Sequence, residues 1–78
     1  MMTEQDLIGF LTSDMGVDEG DVDASTLLFS DGILDSVLMV DLIQFIETKS
    51  GIRMSPTEVN LDNLDSVGKI LAYVEQKG

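Results

Sequence analysis

Gly32-Ile33-Leu34-Asp35-Ser36-Val37-Leu38-Met39-Val40-Asp41-Leu42-Ile43-Gln44-Phe45-Ile46-Glu47-Thr48-Lys49-Ser50-Gly51 is the stretch whose reading decides the fold. Two residues that cap helices well, Asp35 and Ser36, precede a run in which most side chains are apolar and only Asp41, Gln44, Glu47 and Thr48 are clearly polar. The run reads as a helix from Asp35 or Ser36 to about Lys49, stopped by Gly51. One apolar stripe is enough to face a core, and this helix has more than one. Part of its apolar surface is therefore expected to stay exposed, rimmed by acids, as a candidate binding surface. The competing expectation is a central helix covered on several sides.

The rest of the chain supplies other helices. Thr3 and Asp6 stand in the spacing of a capping box, and Leu7, Ile8, Leu11 and Met15 share one face, so a helix is expected from about Thr3 to Asp14 with Gly16 as its stop. Residues 16–34 read as a long connection. A structureless loop of that length needs packing to hold it, and Leu27-Leu28-Phe29 is the expected anchor. Ser55-Pro56-Thr57-Glu58 predicts a short helix ending near Asn60, with Ser at the cap, Pro first and Glu third. Val67, Ile70, Leu71 and Val74 predict a last helix that starts near Asp65. There is no strand alternation and no repeat. The expected fold is all-α, a small antiparallel bundle of three long helices and one short one, with residues 1–78 as a single domain.

Composition narrows the chemistry. Fifteen acids face four bases, for a net charge of −11, and the chain has no Cys and no His. Eleven of the acids and none of the bases fall before Lys49. Such a field repels nucleic acid and anionic membranes and favours basic protein surfaces. The absence of His excludes a Ser–His or Cys–His relay, so no enzyme is expected. Asp21, Asp23 and Ser25 begin like a calcium loop, but Thr26 and Gly32 stand where Gly and Glu are required, so no specific metal site is expected. No apolar run approaches the ~20 residues of a membrane span. The first residues lack a basic signal region, and cytoplasmic residence is the expectation.

Ser36 then stands out. As a plain cap it would be worth ~1 kcal/mol against Ala. As an attachment point it has an unusual setting, because it ends the long loop and opens the helix with surplus apolar surface. A phosphate there would meet the positive end of the helix dipole and free backbone N–H groups. Asp65-Ser66 is the internal comparison, expected to be a cap and nothing more.

Gly32-Ile33-Leu34-Asp35-Ser36-Val37 resembles the Asp-Ser-Leu attachment motif of the carrier proteins of fatty acid, polyketide and nonribosomal peptide assembly, with Val37 in place of Leu. The likeness continues through Val40-Asp41-Leu42-Ile43, Ile46-Glu47 and Gly51-Ile52 and spans almost the whole chain. It implies that Ser36, beside Asp35, bears 4′-phosphopantetheine taken from coenzyme A by a phosphopantetheinyl transferase. Acyl or aminoacyl groups would then ride on its thiol as thioesters. It also implies that Val37, Val40, Asp41, Gln44 and Glu47 face partners. Those would be the transferase, an acyl- or aminoacyl-loading enzyme, and a downstream synthase or transferase with basic docking surfaces. The carrier itself would act as a monomer.

The chain departs from the fatty-acid pattern at Leu38, often acidic there, and at Arg53. Its Gly-x-Leu-Asp-Ser form looks more like freestanding carriers. The first expectation is thus a freestanding carrier of a secondary-metabolite pathway. A housekeeping fatty-acid carrier and a D-alanyl or aminoacyl carrier are the near alternatives, and an unmodified acidic helical adaptor is the alternative of a different class.

Overall fold

The computed structural model describes residues 2–77, and every regular element among them is helical. The order is α1 Glu4–Ser13, a 3-10 turn Glu19–Asp21, α2 Ser36–Ser50, a second 3-10 turn Pro56–Glu58, α3 Leu61–Leu64 and α4 Val67–Lys77. The described chain fits within 29 × 22 × 19 Å. The all-helical bundle read from the sequence is the fold observed.

α1 begins where its signals place it. The Thr3 hydroxyl accepts from the Asp6 N–H, and the Asp6 carboxylate accepts from the Thr3 N–H, a complete capping box. Leu7 and Leu11 are fully buried, whereas Ile8 and Met15 are half-buried at the edge of the same face. Gly16 takes a left-handed φ of 73°, and the Val17 N–H reaches back to the Leu11 carbonyl.

α2 carries both expected fates of its apolar residues. Leu42 and Ile46 are fully buried, Leu38, Met39, Ile43 and Phe45 are half-buried, and Val37 and Val40 are 72% and 55% exposed. Gly51, at φ 75°, ends the helix and its N–H caps the Glu47 carbonyl.

The segment after α2 corrects the sequence reading. The Ser55 signal closes a capping box with Glu58, but it yields only the turn Pro56–Glu58 and no helix to Asn60. Val59 leaves the helical region at φ −84°, ψ 85°. Asn60 is extended, and its side chain accepts from the Asn63 N–H, so the helix restarts as α3 five residues later than expected. The short helix exists, but a second cap moves it.

The long connection is held at more points than the sequence suggests. Leu28 is fully buried, but Leu27 is 38% exposed, so the anchor is one residue of the expected three, with half-buried Phe29 beside it. Val22 and Leu34 are buried as well. Asp65 holds the loop and does not cap α4. It is only 5% exposed, and its carboxylate accepts from the Phe29 N–H at 2.8 Å, the Ser30 N–H at 3.0 Å and the Ser30 hydroxyl at 2.5 Å. Its carbonyl takes the Leu28 N–H. Those hydrogen bonds, led by the Ser30 hydroxyl, hold the Asp65 carboxyl below its ordinary range against the opposing effect of burial. Ser66 is the cap, accepting from the Lys69 N–H. A second tie joins the Gly68 N–H to the Ala24 carbonyl at 2.9 Å. The loop is thereby bound to the start of α4, which itself packs on α1 and α3.

Candidate functional site

The approach to Ser36 is set by two features of the loop. Gly32 turns the chain at φ 78°, a left-handed value that suits a residue without Cβ, and its N–H donates to the Phe29 carbonyl. Leu34 is 4% exposed, and its N–H donates to the Leu28 carbonyl at 2.8 Å. The buried Leu34 fixes the chain immediately before the helix, so the start of α2 inherits the rigidity of the core.

Asp35 is the N-cap. Its backbone is extended, and its Oδ1 accepts from both the Val37 and Leu38 N–H groups at 3.0 Å. Its carbonyl accepts the first helical hydrogen bond, from Met39. Ser36 is therefore the first helical residue and is not needed as a cap. It is exposed, and its hydroxyl makes no hydrogen bond among the described residues. This is a correction to the expected phosphate cradle, because the Val37 and Leu38 N–H groups are already occupied by the Asp35 carboxylate, which takes the favourable position at the helix dipole. What remains at Ser36 is an accessible alcohol beside a carboxylate whose Oδ1 is committed to the helix cap.

The other expected surface residues fall on the outer side of α2. Val37, Val40, Asp41 and Gln44 are exposed and lie within three or four residues of one another, which groups them on one face. Glu47 differs. It is half-buried, and its carboxylate accepts from the Met54 N–H at 2.9 Å, tying the end of α2 to the segment that follows. Two supporting residues carried no sequence signal of their role, Leu34 and Asp65. Leu34 reads as one more loop leucine, and Asp65 mimics an ordinary cap. Among the described residues no group of His, Cys, Asp and Glu is arranged to hold a metal ion. The Asp23 carboxylate, the centre of the failed calcium motif, is spent on the Ser25 and Thr26 N–H and hydroxyl groups, which lower its pKa. No described helix is long and apolar enough to cross a membrane.

Comparison with known proteins identifies the family. The family model described as "Phosphopantetheine attachment site" matches residues 5–74. The acyl carrier protein of Thermotoga maritima is 31% identical over 67 residues, covering 86% of this chain and 80% of that protein. The D-alanyl carrier protein of Lactococcus lactis subsp. cremoris is 36% identical over 62 residues, covering 80% of this chain and 78% of that protein. The match runs from the middle of the first turn of α1 to the last turn of α4, so it takes in the loop, its ties to α4 and the exposed start of α2 alike. With the family model matching most of the chain and two carrier proteins among its relatives, this chain belongs to the phosphopantetheine-attachment family, as a carrier protein whose covalent group is 4′-phosphopantetheine and not as an enzyme.

Proposed function

We propose that Ser36 is the attachment residue and that the protein shuttles acyl or aminoacyl groups between partner enzymes in the cytoplasm. The observation that carries this reading is the division of labour at the start of α2: Asp35 caps the helix, and the Ser36 hydroxyl is left exposed and unengaged. The group fits the residues present. Nothing in the hydrogen-bond pattern must be broken to extend Ser36 outward, and the chain has no cysteine of its own. When bound, the group supplies a thiol on which cargo is held as a thioester. The chain's own residues do the rest. Leu34 and Asp35 fix the position of Ser36, while Val37, Val40, Asp41 and Gln44 offer a mixed apolar and acidic face to a basic partner.

The Gly32-x-Leu34-Asp35-Ser36 form supports a freestanding carrier, and we place it in a secondary-metabolite pathway. A D-alanyl carrier is the second reading, favoured by the Lactococcus relative. Intact mass before and after incubation with coenzyme A and a broad-specificity phosphopantetheinyl transferase tests the first claim, with Ser36→Ala beside it. A gain of one phosphopantetheine unit in the unaltered protein only is expected. No gain by a folded protein would leave an acidic helical adaptor. Offering the loaded protein D-alanine with an aminoacyl-activating ligase, and carboxylic acids with an acyl-activating ligase, then separates the two cargo readings.

A further inference from the structure

The end of α1 and the middle of α2 enclose an open groove of about 360 Å³. Phe10 and Phe45 form its apolar floor, their rings stacked with centroids 4.1 Å apart and planes 12° from parallel. Met15 and Gln44 line it, and Asp14 and Asp41 bring two carboxylates to it. Both carboxylates are exposed, and neither side chain has a hydrogen-bond or ion-pair partner among the described residues. None of the four bases lines the groove, and Lys77 is held by Glu58 at 2.7 Å.

An aromatic floor with two unpaired acids is complementary to one kind of side chain. A guanidinium stacks on aromatic rings and donates in a planar fork to carboxylates, while its aliphatic stem covers apolar surface. A second copy of this chain is disfavoured, because each copy carries a net charge of −11. A purely apolar chain would leave the two acids at its flank without a partner and would lie in a groove open to water.

We propose that this groove is a docking subsite for an arginine side chain of a partner enzyme, extending the contact surface from the exposed face of α2 onto the end of α1. The partner's nature rests on the carrier reading, but the subsite does not. Asp41 and Gln44 belong to both surfaces, whereas Phe10, Asp14 and Met15 would add a contact that the start of α2 cannot reach.

Titration with butylguanidinium at low salt, followed through backbone amide chemical shifts, tests the subsite directly, with neutral butylurea as the comparison. Saturable shifts confined to residues around Phe10, Asp14, Gln44 and Phe45 are expected, with little response to butylurea. In the Asp14→Asn/Asp41→Asn double variant the apparent affinity should fall about tenfold. Both substituted positions are exposed, so an unchanged amide spectrum elsewhere checks the fold. Shifts scattered over all the acids would overturn the proposal, and so would equal binding of butylurea, which would mark an apolar pocket. The same titration on Ser36→Ala should be unchanged, so a failure of phosphopantetheine loading and a failure of the groove are read separately.

Discussion

At the residue scale the decisive pair is Asp35-Ser36, and the structure separates two roles that either residue could have taken. Asp35 satisfies two backbone donors, so Asp35→Ala should cost about 1 kcal/mol, seen as a lower urea midpoint. Ser36→Ala removes a hydroxyl that bonds to nothing among the described residues. Its urea midpoint should match that of the unaltered protein, while loading with phosphopantetheine, read by intact mass, should be lost completely. An equal loss of stability in both variants would mean that Ser36 shares the cap. The presence of a good cap at this point was legible in the sequence. Which of two adjacent caps is used was not, because both side chains have the chemistry and only the backbone path after the buried Leu34 selects between them.

At the scale of elements, the long connection behaves as a strap fastened to α4. Asp65→Ala would leave the Phe29 and Ser30 N–H groups without their acceptor and should destabilise the protein by about 2–3 kcal/mol in chemical denaturation. The Asp65 pKa is lowered in the folded state, so its contribution is present above the unfolded carboxylate pKa near 3.9 and is lost as pH falls through the lower folded value. Acid unfolding of the Asp65→Ala variant should therefore show a weaker dependence on pH below about 4 than that of the unaltered chain. Gly68 makes the second fastening. A Cβ there would lie 3.0 Å from the Ala24 carbonyl oxygen, the same atom that the Gly68 N–H bonds. Gly68→Ala should thus fail to deliver the ~1 kcal/mol that alanine normally adds inside a helix, and thermal unfolding would show no rise in midpoint. Neither fastening could be read from local pattern. Each joins residues at least thirty-five positions apart, and the second also depends on a backbone approach that no periodicity records.

At the scale of the whole molecule, charge is the governing property. Like charges at this density oppose compaction, and salt screens them over about 10 Å at 0.1 M. Added sodium chloride should raise the thermal midpoint of the isolated protein. The same salt should lower kcat/KM for loading by the transferase, mainly through slower association. Stability and docking would then respond to salt in opposite directions. A loading rate indifferent to salt would instead assign docking to the apolar contacts of Val37 and Val40.

The sequence by itself determined the helical class, the ends of α1, the exposed apolar start of α2 and the serine on which the functional reading turns. These depend on neighbours within about one helical turn, where capping chemistry and 3.6-residue periodicity act directly. The tertiary structure alone decided that Leu28 and Leu34 hold the loop while Leu27 does not, that α3 starts at Leu61 behind an Asn60 cap, and that Asp65 fastens the loop to α4. It also brought Phe10 of α1 onto Phe45 of α2. Those outcomes come from burial and from hydrogen bonds between distant segments, and such partners are chosen by the packing of the whole chain and not by the residues beside them.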